Sequence, residues 1–181
     1  APDALEFTPE IIATLLEKVR SDTPVGFKTF YTWIWDRPLP KHCYQWIKAI
    51  YSEARGKKPL FLEAFRGSTK STTVTVTWAA YKLGLHPSKT GLIVNAAKEK
   101  ATEFSASIAE IIKSNKGWKL CFPHVVPDEA RGWSSEGYNI KDARVDYDEW
   151  TRGLTIDPSF VGRGYTSSAI TGMHPSLFLI V

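Results

Sequence analysis

The residues best equipped for chemistry stand together in one short stretch, Arg66-Gly67-Ser68-Thr69-Lys70-Ser71-Thr72. An apolar run, Pro59 to Phe65, precedes it, and a helical continuation is expected after it. A loop entering a helix in this way presents backbone N–H groups and the positive end of the helix dipole, which together attract an anion. Glycine at 67 lets the backbone approach a phosphate closely. Lys70 adds an ammonium that reaches β- and γ-phosphate oxygens, and Ser71 adds a hydroxyl able to hold Mg²⁺. Measured against the pattern G-x-x-x-x-G-K-[ST], Ala64 stands in place of the first glycine and Thr69 in place of the second. The loop therefore has the spacing and context of a nucleotide-binding P-loop without its full glycine complement; a solvated Lys/Ser-rich loop is the other reading.

Other constellations carry less. Asp142, Asp146, Asp148 and Glu149 crowd into one stretch flanked by Arg144 and Arg152. That arrangement suits an exposed charged turn better than a nuclease metal site. His42, His86, His124 and His174 form neither HxxxH nor HExxH, and no Gly-x-Ser-x-Gly elbow is present, which excludes metalloprotease and hydrolase readings. Cys43 and Cys121 lie outside any ligand spacing, so reduced thiols are expected rather than a zinc site or a disulfide. The seven tryptophans, Trp33, Trp35 and Trp46 among them, could stack on bases, but most sit on apolar-patterned segments and read as packing residues.

Positioning the loop falls to the elements around it. Thr8-Pro9 caps a helix whose stripe is Ile11, Ile12, Leu15, Leu16 and Val19. Phe27 to Trp35 alternates aromatic residues until Pro38 and Pro40, after which Cys43, Trp46, Ile47 and Ile50 form a second helical pattern. Pro59 to Phe65 reads as a short buried strand, and Ser71 to Thr77 as a helix despite a Thr/Val content that favours strand. Leu83-Gly84 followed by Pro87 reads as a helix stop, and Gly91 to Ala96 as a core strand. Apolar residues at 101, 104, 108, 111 and 112 recur at helical spacing over Lys98 to Asn115. Hairpins or loops are expected over 117–160, and Leu177 to Val181 reads as a central strand. Strand alternating with helix points to an α/β fold with a mostly parallel sheet.

With 181 residues, 43% apolar and 23% charged, the chain has room for one ordinary domain and a small flanking arm, and disorder is excluded. No apolar run reaches about 18 residues and the start is not a signal peptide, so a soluble intracellular protein is expected. Net charge is 23 − 19 = +4. It is uneven: residues 48–100 hold ten Lys/Arg against three Asp/Glu, net +7, which leaves thirteen against sixteen, net −3, elsewhere. One polyanion-facing region fits that distribution, as does an ordinary solvated basic face.

Phe65-Arg66-Gly67-Ser68-Thr69-Lys70-Ser71-Thr72, followed by Leu92 to Ala101, resembles the large terminase subunit of tailed bacteriophages. The later segments Ser107 to Asn115, Phe122-Pro123 and Ile170 to Val181 follow in the same order, so the resemblance covers roughly residues 38–181. It implies a P-loop NTPase fold, a three-layer αβα sandwich over 38–181, with residues 1–37 as a helical, aromatic N-terminal arm. It also implies the ATPase of a viral motor that packages double-stranded DNA into procapsids, using ATP and Mg²⁺. On the resemblance, nucleotide would be bound by Gln45, Arg66, Gly67, Ser68, Thr69, Lys70, Ser71 and Thr72. Lys70 would neutralise the transferred phosphoryl group and Ser71 would hold the metal. Arg66 is expected to reach the γ-phosphate in cis or to serve as a salt-bridge partner at the loop rim. Gln45 matches the adenine-reading position, although a solvent-facing helix glutamine looks the same in sequence. Arg163, in a glycine-rich stretch, is the nearest substitute for a trans arginine finger. Expected partners are double-stranded DNA, a portal protein, the small terminase subunit and further copies of the chain in a ring, in the host cytoplasm and without a membrane.

In the family, the strand matching Leu177 to Val181 runs into two Walker B carboxylates. The chain is therefore expected to be a piece of a longer protein, inactive alone. Two alternatives stand beside this: an inert nucleic-acid-binding or assembly module whose degenerate loop shapes a basic surface, and another P-loop DNA translocase or helicase.

Overall fold

The computed structural model describes residues 8–52 and 58–181. The chain divides into two compact units, residues 1–62 and 63–181.

In the first unit three helices pack through aromatic side chains. Helix α1 (Pro9–Arg20) begins as expected, with the Thr8 hydroxyl accepting from the Ile11 N–H at 3.4 Å and proline in the first turn. Helix α2 (Pro24–Trp35) uses the same Thr-Pro start, Thr23 accepting from the Gly26 N–H at 3.1 Å. The aromatic stretch that alternates in sequence is thus helical. Its buried members Phe27, Phe30, Tyr31 and Ile34 are spaced three and four apart, which is one face of a helix. Asp36 then turns left-handed, and α3 (Lys41–Ile50) follows, burying Cys43 and Ile47. The Tyr51 hydroxyl donates to Asp22 at 2.8 Å and ties the end of α3 to the α1–α2 turn.

The second unit is mixed α/β. A π-helix (Ser71–Trp78) runs into α4 (Ala79–Leu85), then β1 (Gly91–Asn95), α5 (Lys98–Ser114) and α6 (Lys116–Cys121). Short elements follow: β2 (Val125–Pro127), β3 (Gly137–Tyr138), β4 (Ile140–Asp142), α7 (Tyr147–Arg152), β5 (Phe160–Gly164) and β6 (Phe178–Ile180). The main sheet has the order β3-β5-β1-β6, with β5 and β6 parallel to β1 and β3 antiparallel to β5; β2 and β4 form a separate antiparallel pair.

Two expectations are corrected. No strand forms over 59–65. There the residues alternate between half-buried Leu60, Leu62 and Ala64 and exposed Phe61, Glu63 and Phe65. A run with a glutamate at its centre is suited to one wet face, not to burial on both. Strand β6 lies at the sheet edge among the described strands, not at its centre, and Leu179 is 55% exposed. Helix α4 ends at Leu85, one residue past Gly84 and ahead of Pro87, as the stop signal expects; a Cβ on Gly84 would stand 2.4 Å from the Phe122 ring.

Ser71 to Trp78 is helical, as expected, but wound as a π-helix. Its Thr and Val side chains, stiff at χ1 and crowded in an α-turn, are buried from Thr73 to Thr77. The Thr77 hydroxyl donates to the Thr72 carbonyl five residues back at 2.6 Å, matching the wider turn. Trp78, at the far end, packs against Phe178 of β6 at 5.6 Å between ring centroids.

Helix α5 lies on β5 because β5 offers glycine. A Cβ on Gly162 would stand 2.5 Å from the Ala101 carbonyl oxygen. On the opposite face, Leu92, Val94 and Val161 meet Ile170 and Met173. Gly162→Ala should therefore push α5 off the sheet and cost about 1–3 kcal/mol of stability, readable as a lowered urea midpoint. An unchanged midpoint would show that the helix has slack.

Candidate phosphate-binding site

The loop before the π-helix turns through two left-handed residues within three positions. Gly67 has φ +85° and Thr69 φ +61°. Nothing lies within 4 Å of where a Gly67 Cβ would sit, so glycine is needed there for its backbone angle, and the space beside it is open. Thr69 carries the strain of an L-residue in that region, about 1–2 kcal/mol. Strained backbone of this kind gathers at ligand-holding turns.

Both ends of the turn are fixed. The Ser68 N–H donates to the Phe65 carbonyl at 3.2 Å and the Thr73 N–H to the Thr69 carbonyl at 2.9 Å. Ser68 is buried, while Arg66, Gly67 and Ser71 are exposed and Thr69, Lys70 and Thr72 half-buried. Lys70 already has helical angles, φ −54° and ψ −50°, so Ser71 begins the helix directly after it. The loop, the lysine and the serine hydroxyl thus share one helix entry in the second unit. A Mg²⁺ ion fits this donor set only as a nucleotide-borne ion, with one protein hydroxyl and the remaining oxygens from phosphate and water. Among the described residues no group of three His, Cys, Asp or Glu side chains could hold a metal by itself.

The remaining expected site residues stand on other elements of the chain. Gln45 is exposed on α3, in the first unit. Arg163 sits in β5, and its Nη1 donates to Glu136 Oε2 at 2.9 Å, so its charge is engaged within its own chain. Glu136 also holds Lys98, whose Nζ is 2.7 Å from Oε1, and this hydrogen bond keeps the Glu136 carboxyl below the usual carboxylate range. Sequence reasoning missed this three-residue cluster: Glu136 lies in an aperiodic stretch and no spacing announces it.

The acidic stretch resolves into separate tasks. Asp142, expected on an exposed turn, is buried at 6% exposure, with both carboxylate oxygens taken by Arg144 at 2.9 and 2.6 Å. Asp146 caps α7, accepting from the Asp148 and Glu149 N–H groups at 3.0 and 3.3 Å. Buried Asp128 accepts from the Tyr147 hydroxyl at 3.3 Å. No helix among the described residues is long and apolar enough to cross a membrane.

Two outcomes follow from these geometries. Thr69→Gly relieves the left-handed threonine and should raise stability by about 1 kcal/mol, seen as a higher denaturant midpoint; a lower midpoint would mean the Thr69 side chain stabilises more than its angle costs. The Asp142 carboxyl is held below its ordinary value, first by its hydrogen bond from Arg144. A carboxylate with a depressed folded-state pKa adds stability above the unfolded value of about 4 and loses it as pH falls through the folded value. Arg144→Ala should raise the Asp142 pKa in a carboxyl-carbon NMR titration and flatten the acid limb of the stability profile. A carboxyl that titrates at the same pH in both proteins would contradict the assignment.

No family model, no curated protein and no solved structure matches this chain.

Proposed function

We propose that the second unit binds the triphosphate of ATP at the 66–72 loop and belongs to the ATPase of a terminase-type motor that packages double-stranded DNA. The observation that carries the reading is the loop itself: left-handed residues at 67 and 69, then Lys70 and Ser71 at a helix entry. A helix entry of that kind can offer main-chain donors, one ammonium and one hydroxyl to an oxyanion. The α/β architecture and mostly parallel sheet support it at the level of fold class. A three-layer P-loop sandwich is the finer form of the proposal. The specific choice of a terminase rests on the resemblance of residues 65–72 and 92–101 and on the order of the later segments.

In this reading Lys70 offsets charge on the β- and γ-phosphates, Ser71 ligates Mg²⁺, and Gly67 admits the phosphate chain to the backbone. Arg66, exposed at the loop rim, is free in position to meet the γ-phosphate. DNA, a portal protein, a small subunit and ring neighbours are the partners this reading brings with it.

Calorimetric titration with a non-hydrolysable ATP analogue and Mg²⁺ tests it. Saturable binding is expected, weakened about 10–100-fold by Lys70→Ala with the melting temperature unchanged, the effect of removing one charged hydrogen bond to phosphate. Absence of saturable binding, or equal affinity in the variant, would move the loop to the inert-module reading.

A further inference from the structure

Helices α2 and α3 of the first unit contain no aspartate or glutamate. Over residues 23–51 four Lys/Arg stand against one carboxylate, Asp36. Three of these cations are grouped. Lys41, Tyr44 and Lys48 are spaced three and four residues apart, which puts them on one face of α3. The Lys28 ammonium reaches the Tyr44 ring from α2, 5.7 Å from its centroid, and the Lys48 ammonium stands 5.5 Å from the same centroid. All three lysines are exposed and Tyr44 is half-buried. Among the described residues none of the three makes an ion pair.

Folding alone gives this grouping little reason. Two ammonium groups drawn to one ring repel each other, and neither is paired with a carboxylate of the described residues. Lys41, in the first turn of α3, opposes the helix dipole. An external polyanion offsets both costs, and the geometry selects among polyanions. Lys41 and Lys48 are seven residues apart, about 10 Å along the helix axis, close to three nucleotide steps of one DNA strand. The Tyr44 ring is taken by the chain's own cations, so contact with phosphates is favoured over the base stacking that holds single strands. Lysine is depleted at protein–protein interfaces. The apolar faces of both helices, with Phe27, Phe30 and Ile47, are buried and leave no apolar side to sink into lipid.

We propose that Lys28, Lys41 and Lys48, set around Tyr44, form a contact surface for the phosphate backbone of a DNA duplex. The inference rests on the packaging reading for the choice of DNA, to which that reading gives no surface, and it uses no residue of the 66–72 loop. The ring holds two ammonium groups in place before DNA arrives, and each lysine that meets a phosphate releases a condensed counterion. Binding of this kind is independent of sequence and falls steeply with salt.

The full chain, without nucleotide, is titrated into a short fluorescein-labelled DNA duplex and the anisotropy followed across a salt series. Combining Lys28→Gln, Lys41→Gln and Lys48→Gln should weaken binding about tenfold or more at low salt. The slope of log K against log salt should flatten by about 0.9 for each lysine that meets a phosphate. The matching arginine triple, which keeps the charge, should retain the affinity. Removing equal charge at Lys113, Lys116 and Lys119, exposed residues of the second unit, should change it by less than about threefold. Melting temperatures show that each variant is folded. Lys70→Ala should leave the duplex titration unaltered, so failure of the ATP reading and failure of this surface are told apart. No saturable duplex binding at low salt, or equal loss in the two charge-removing triples, overturns the proposal. Binding to phosphatidylserine vesicles or to an acidic peptide but not to the duplex would give the surface to another polyanion and overturn it equally.

Discussion

The account depends on the backbone passing through left-handed angles at both Gly67 and Thr69. Such a turn points consecutive peptide groups in directions that ordinary loops do not reach, and an anion is the natural counterpart of converging N–H groups. It persists only if its ends are held. Here the Phe65 carbonyl holds one side and the first helical bond, Thr73 to Thr69, holds the other. Everything downstream, from the buried face of the π-helix to its contact with β6, fixes where that helix entry can be.

The π-helix is the least ordinary part of this support. A run of Thr and Val is poor α-helix material, and wound with the wider turn it buries five consecutive residues, Thr73 to Thr77, in the element that packs on α5. The Thr73 hydroxyl near the loop and the Trp78 indole N–H at the far end of this helix are both buried without a partner. Helix α5 in turn stays close to the sheet through Gly162, and at its first residue places Lys98 beside Glu136. The loop and Lys98 thus both sit where a helix begins.

Much of this was legible from residue order. Strand β1 and helix α5 fall where apolar periodicity puts them, to within a residue or two, because local pattern and tertiary burial agree there. The Thr-Pro caps of α1 and α2 are equally local signals, although the aromatic content of α2 masks its helical spacing. What failed was whatever depends on distant chain. Whether Pro59 to Phe65 joins the sheet, or whether β6 is central, is decided by pairing partners that no local run of apolar residues names. The loop was visible as a motif because its chemistry is contiguous. Arg163 was visible only as an arginine among glycines; its partner Glu136 is 27 residues away in a stretch without period, and only folding brings them together.

The central claim is that the 66–72 turn grips phosphate with its main chain. Amide nitrogen–proton NMR spectra recorded while a Mg²⁺-bound, non-hydrolysable ATP analogue is added address it most directly. The account predicts that the largest shifts, with the downfield sign of new N–H···O bonds, fall on the amides of Gly67 and of Thr69 to Thr72. Shifts confined to other segments, with those five amides unmoved at saturation, would contradict it.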